Sequence, residues 1–269
     1  MAWAGGEVGV DLGLKGKRAV VTGASKGIGR AIAEVLAEEG CDLELAARSG
    51  DELERLAGVL KQRAGVAVRA HALDLGRSDD QRRLAAATGA VDILVNNAGA
   101  IPNGTIDELS EETWRQAWEL KLYGYINLTR LYYAMMKERG QGVIVNNIGS
   151  AGERMYAGYI AGSTANSALI ALTRALGSRS SEAGVRVVGV NPGLTATERA
   201  GTLLKSRSEQ AYGTTERWRD VLKDMNLPFG RMAEPREVAD LVAFLASPRA
   251  AYISGTTISV DGGATHRHT

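Results

Sequence analysis

The stretch Val20-Val21-Thr22-Gly23-Ala24-Ser25-Lys26-Gly27-Ile28-Gly29 runs from a β-branched apolar segment into a glycine-punctuated turn and then a helix start. Gly23, Gly27 and Gly29 stand where a backbone turns tightly, approaches a phosphate and packs a helix closely on a strand, each a place a Cβ would obstruct. The following helix carries Ile28, Ala31, Ile32, Val35 and Leu36 at helical spacing on one face. Its first N–H groups and its dipole then point at an anion, most simply a dinucleotide pyrophosphate. A strand–turn–helix of this kind near the start of the chain predicts an α/β fold with a nucleotide bound at the edge of its sheet.

Bulk properties narrow the partners. The 269 residues are 45% hydrophobic, enough for one large core, and the formal net charge of +1 comes without a Lys/Arg block. That argues against nucleic acid or a membrane surface as partner. Cys41 is the single cysteine, so no intrachain disulfide forms, and a reducing, cytoplasmic home is expected. No apolar run has the length of a membrane span, and Met1–Leu14 does not read as a signal peptide. His71 lies in a strand-like run, and His266 and His268 lie at the C-terminus. The middle of the chain therefore offers no catalytic histidine for a hydrolase triad and no metal-ligand spacing. Metal-free hydride or proton chemistry is the economical reading.

Strand and helix patterns alternate almost to the end. Strands are predicted at Arg18–Thr22, Asp42–Ala47, Val66–Ala72, Val91–Asn96, Gly142–Ile148, Val185–Val190 and Thr257–Val260. Helices are predicted at Gly27–Glu39, Asp51–Ala64, Ser78–Ala87, from the N-cap Ser110 to Lys137, Tyr159–Ala183 and Pro235–Leu245. The alternation predicts a Rossmann-type doubly wound parallel sheet in a single domain, with ligands at the carboxyl ends of its strands. The expected division is an N-terminal extension at 1–14, the nucleotide-binding domain at 15–265 and a C-terminal tail at 266–269. Inside the domain, the long irregular stretch at about 194–234 reads as a substrate lid. Its Leu203, Leu204, Tyr212, Trp218, Met225, Leu227 and Phe229 suggest a hydrophobic substrate.

From about Leu14 to Gly263 the chain resembles the short-chain dehydrogenase/reductase family. The motifs that carry the resemblance are Thr22 to Gly29, Asp74-Leu75, Asn96-Asn97-Ala98-Gly99, Ile148-Gly149-Ser150, Asn191-Pro192-Gly193 and Asp261-Gly262-Gly263, in the family's order and spacing. The resemblance implies an oxidoreductase that binds NAD(P) and assembles as a homotetramer or dimer. It assigns Gly23, Ser25, Lys26, Gly27, Ile28 and Gly29 to the cofactor, with Asp74 and Leu75 by the adenine. Asn97, Ala98 and Gly99 would shape the cofactor side of the cleft, and Pro192, Gly193 and Thr195 would meet the nicotinamide end.

Charge distinguishes the two nicotinamide cofactors. An NAD enzyme places an acidic side chain after the second strand to hold the ribose 2′-OH. Here that place reads Ala46-Ala47-Arg48-Ser49, with Lys26 in the glycine turn. Two cations and a hydroxyl suit a 2′-phosphate, so Arg48 and Ser49 point to NADP(H).

The catalytic set departs from the family's Asn, Ser, Tyr and a Lys four residues after that Tyr. Ser150 matches the serine, and Tyr159 is the nearest tyrosine in the expected helix, but four residues on stands Ser163. Counting back from Ala168-Leu169-Ile170-Ala171-Leu172-Thr173 instead puts Asn166 at the lysine position and Gly162 at the tyrosine position. The family's asparagine position, in Glu119-Leu120-Lys121-Leu122, holds Lys121. The chain thus reads as an exchange: Lys121 supplies the ammonium that favours a Tyr159 phenolate, Ser150 holds the substrate oxygen, and Asn166 is a polar anchor. Tyr156 is a rival proton donor. Three readings stay open: an NADP(H)-dependent enzyme interconverting an alcohol and a carbonyl on a small substrate, a catalytically decayed NADP(H)-binding protein, and a lyase or isomerase on the same scaffold.

Overall fold

A computed structural model describes residues 10–267; residues 1–9 of the expected extension, and His268 and Thr269 of the expected tail, lie outside the described residues. Seven parallel strands form one sheet in the order β3-β2-β1-β4-β5-β6-β7. They are β1 (Arg18–Thr22), β2 (Asp42–Ala47), β3 (Val68–Ala72), β4 (Ile93–Asn96), β5 (Gly142–Asn147), β6 (Val185–Pro192) and β7 (Thr257–Val260). The central strands are near-continuous apolar runs because both of their faces are covered. The connection direction reverses between β1 and β4, where the order switches, and the crevice beyond their carboxyl ends is where such sheets bind ligands.

Helices α1 (Gly27–Glu38), α2 (Gly50–Ala64) and α3 (Ser78–Thr88) follow the first three strands. The long helix expected from Ser110 is broken. Ser110 caps α4 (Glu111–Trp118) by accepting from the Thr113 N–H at 3.2 Å, and then one π turn (Glu119–Tyr123) leads into α5 (Gly124–Arg139). Next come α6 (Ile160–Gly177) and, in the expected lid, α7 (Glu198–Tyr212) and α8 (Trp218–Asp224). The last, α9 (Pro235–Ala246), starts on a proline whose missing N–H costs nothing there. The expected helix to Ala183 stops at Gly177, and Ser180–Ala183 forms a separate 3₁₀ turn.

One core packs α1, α2 and α9 against the sheet, and a second packs α3 and α5 on the other face. A third, smaller cluster of Ile101, Ala117, Leu122, Tyr125, Ile148, Ala161, Ala165 and Leu169 lies where α4, the π turn and α6 meet the end of β5. Leu14, expected in the extension, is buried in the first core. His266, expected in the tail, belongs to a 3₁₀ turn. No helix among the described residues is long and apolar enough to cross a membrane.

Candidate active site

The glycine turn and the loop after β4 are joined by hydrogen bonds. Thr22 Oγ1 donates to the Val95 carbonyl and accepts from the Asn97 and Ala98 N–H groups at 2.8 and 3.1 Å. Asn97 Nδ2 donates back to the Thr22 carbonyl at 2.9 Å. A Cβ at Gly29 would fall 2.2 Å from the Gly23 carbonyl oxygen, so only glycine lets α1 start this close to the strand end. Lys26 makes no side-chain cap and the first turn of α1 holds no acidic residue, so the helix start leaves N–H groups for a phosphate.

Beyond β2, Arg48 and Ser49 are exposed, and Arg48 forms no ion pair among the described residues. Lys26 stands differently: its ammonium pairs with Glu52 at 3.0 Å and Glu198 at 3.5 Å. Both pairs face solvent and are screened by it, so a phosphate dianion can displace them. Asp74 Oδ1 accepts from the Gly76 N–H at 3.1 Å, and Leu75 is buried. Pro192, Gly193 and Thr195 follow the end of β6, where Thr195 Oγ1 donates to the Gly193 carbonyl at 3.1 Å. The residues assigned to the cofactor from sequence therefore all lie at or just beyond the carboxyl ends of strands β1, β2, β3, β4 and β6.

Lys121 is not a charge on the helix surface. It lies on the π turn, is 7% exposed, and its Nζ donates to Tyr125 Oη at 2.8 Å and to the Asn147 carbonyl at 2.9 Å. Tyr125 Oη in turn donates to the same carbonyl at 2.7 Å, closing a triangle. The aliphatic stem passes beneath Gly99, where a Cβ would meet Lys121 Cδ at 2.9 Å. Burial, and then the nearby Arg199 guanidinium, bring the ammonium down from the ordinary 10.5 to about 7. Burial pushes the Tyr125 phenol well above its usual value, with Tyr159 adding to it. Asn147 Nδ2 donates to Asn97 Oδ1 at 2.8 Å, so the triangle is tied to the cofactor loop.

Tyr159 departs from the expected helix. It is the residue before α6, with φ −138° and ψ 40°, so it and Asn166 do not share a helical face. Its ring folds over Gly162 instead, and an ideal Cβ at 162 would fall 2.0 Å from both Cε1 and Cζ of Tyr159. The phenol ring thus fills the space that a side chain at 162 would take. Trp118 Nε1 fixes this helix start by donating to the Ala161 carbonyl at 3.1 Å.

Ser163 is a correction. Its Oγ accepts from the Tyr156 N–H at 3.0 Å and is 2% exposed, so it anchors the preceding loop, and Tyr156 itself is exposed. Asn166 is 3% exposed, with Nδ2 3.5 Å from the Gly149 carbonyl and Oδ1 without a partner among the described residues. Ser150 opens a 3₁₀ turn three residues beyond the carboxyl end of β5. Tyr125 is the residue that sequence reading missed; only its spacing of four from Lys121 could have flagged it.

The lid's apolar residues are partly committed. Leu204 is fully buried, Tyr212 lies under Arg217 with its hydroxyl donating to Asp224 at 2.9 Å, and Trp218 carries Arg219 over its ring. Phe229 remains 85% exposed. Three consecutive residues at the start of the expected lid touch both the glycine turn and the loop after β4. The Thr197 methyl lies against Gly27, Glu198 pairs with Lys26, and Arg199 donates to the Gly99 and Ile101 carbonyls.

A family profile described as enoyl-(acyl carrier protein) reductase matches residues 23–265. The 3-oxoacyl-[acyl-carrier-protein] reductase FabG of Vibrio cholerae is 35% identical over 262 residues, covering 94% of this chain and 98% of that protein. Among solved structures, L-sorbose reductase from Gluconobacter frateurii, complexed with NADPH and L-sorbose, superposes with a TM-score of 0.87 at 34% identity, over 96% of this chain and 100% of that one. The 3-ketoacyl-(acyl-carrier-protein) reductase from Brucella melitensis, complexed with NADH, gives a TM-score of 0.80 at 29% identity, over 94% and 99% of the two chains. With the sheet order, the glycine turn and the Asn96–Gly99 loop already in place, these matches show that the chain belongs to the short-chain dehydrogenase/reductase family.

Proposed function

We propose that this protein is an NADP(H)-dependent oxidoreductase that interconverts an alcohol and a carbonyl on a small substrate, working as a homo-oligomer. The crevice residues fit the cofactor. The uncapped α1 start suits the pyrophosphate, Arg48 with Lys26 and Ser49 suits the 2′-phosphate, and the orphaned Oδ1 of Asn166 suits a ribose hydroxyl. The cofactor, when bound, supplies or removes the hydride.

The chain's own residues handle the oxygen and its proton. Ser150 holds the substrate oxygen, and Tyr159 exchanges its phenolic proton with it. A phenolate is unfavourable near neutrality unless a cation offsets it, and Lys121 is the buried ammonium that does so. The observation that carries this reading is Lys121 itself, inside the fold at the end of β5 and beside the cofactor loop. Because burial holds its ammonium near 7, raising the pH through neutrality removes the cation, and carbonyl reduction should fall along an alkaline limb there.

Turnover is followed by nicotinamide absorbance across carbonyl and alcohol substrates, with cofactor affinities from titration. Lys121→Met should keep NADPH binding while lowering kcat roughly 100-fold or more and abolishing the limb. Near-full activity with an unchanged pH profile would defeat the role of Lys121. Equal affinities for NADPH and NADH would defeat the cofactor choice.

A further inference from the structure

Lys121 and Tyr125 stand four residues apart across the end of the π turn, and both reach one backbone oxygen, that of Asn147. Tyr125 spends its only proton on that carbonyl, so it turns a lone pair, not a donor, toward Nζ. An oxygen acceptor 2.8 Å from an ammonium favours the charged state. The Tyr125 ring adds to this, with Nζ 4.4 Å from its centroid. Two of the three ammonium hydrogens are then committed to fixed partners, and the third is left to act.

We infer that Tyr125 is a positioning residue: it holds Lys121 Nζ at the Asn147 carbonyl and keeps the amine protonated within an apolar pocket. The inference rests on the reading that Lys121 is the working cation of the site. Groups facing Nζ from the surrounding elements are few. Tyr125 comes from α5, the Asn147 carbonyl from β5 and the Arg199 guanidinium from α7, while the Tyr159 phenol, from the segment entering α6, acts on Tyr125. Arg199 and desolvation oppose the charge, so the oxygen acceptors are what support it. Tyr125 does not titrate in this range itself, since burial lifts its phenol far above neutrality.

The ionisation of Lys121 can be read apart from activity, by NMR titration of its labelled side-chain amine, whose resonance is assigned by its loss in Lys121→Met. Tyr125→Phe should lower the midpoint by about one pH unit, the worth of a hydrogen bond to a charged group. The alkaline limb of kcat should move with it, giving roughly tenfold lower kcat at pH 8 while the KM for NADPH holds. Tyr125→Met, which gives up ring and hydroxyl together, should shift at least as far and reports where the Phe variant cannot be recovered. A Tyr125 variant that folds with the midpoint and the limb unmoved overturns the inference. An active Lys121→Met protein would instead overturn the reading beneath it, whatever the NMR midpoint does.

Discussion

The phenol of Tyr159 can lie where it does only because residue 162 has no side chain. An alanine methyl there would coincide with two of the ring carbons, and the ring belongs to a residue outside the helix, so it would swing away before α6 deformed. Gly162→Ala should therefore cost little in thermal stability and should leave NADPH affinity in place. It should lower kcat about as much as Tyr159→Phe does, a factor of roughly 100 or more if Tyr159 is the proton donor. Steady-state kinetics and cofactor titration on the two variants check this. A Gly162→Ala enzyme with wild-type kcat would move the proton donor elsewhere. At this scale the sequence was half legible. The absence of a lysine four residues after Tyr159, and a lysine at 121 where the family has asparagine, could be read from spacing; that Lys121 is buried could not. The displacement of Tyr159 out of the helix could not, because it depends on a ring packing against a bare backbone three residues away. Ser163 looked catalytic for the same reason: four residues after a tyrosine means one helical face only if the tyrosine is in the helix.

Elements bring these residues together, and two of them do so in ways a periodic pattern hides. The π turn at Glu119–Tyr123 closes with the Gly124 N–H on the Glu119 carbonyl, five residues back, inserting one residue into an otherwise regular helix. Hydrophobic spacing reads such an insertion as noise, yet it sets the rotation at which Lys121 and Tyr125 both face Asn147. The glycine turn and the Asn96–Gly99 loop were legible because their chemistry is local: each is a strand end followed by residues chosen for tight turning. The start of α7 was not, since its contacts join segments about 100 and 170 residues apart in the chain. Thr197, Glu198 and Arg199 tie the start of α7 to the glycine turn and to the loop after β4. Of these tethers the two backbone carbonyls accepting from Arg199 are the strongest, being charge-assisted. Arg199→Ala should loosen α7 and α8 without unfolding the sheet. Limited proteolysis should then cut within 194–234 several-fold faster than in the parent, and KM should rise more than kcat falls. Unchanged proteolysis would mean that the 194–234 segment is held by its apolar contacts alone.

For the molecule as a whole, a buried ammonium is a stability cost, and its pH dependence has a definite sign. In the unfolded chain Lys121 keeps its proton up to about 10.5, whereas in the folded protein it releases it from about 7 upward. Between those values the unfolded state binds more protons, so the Lys121 contribution to stability rises with pH; below 7 the full penalty applies. That penalty is at most about 5 kcal/mol, and less once the hydrogen bonds to Tyr125 and Asn147 are counted. Methionine fills similar space without charge beneath Gly99 and beside the Tyr125 ring. It leaves Tyr125 still donating to Asn147. Lys121→Met should therefore be the more stable protein while being the less active one, as expected where a site is maintained against the fold's own preference. At pH 6 its midpoint of thermal unfolding should lie on the order of 5–10 °C above that of the parent. The gap should narrow steadily from pH 7 and close above about pH 10.5, where the folded lysine is already neutral and the unfolded one becomes so. Paired melts across that range decide the matter. A gap that stayed constant with pH would trace to packing alone, and would mean that Lys121 carries no buried charge for the active site to use.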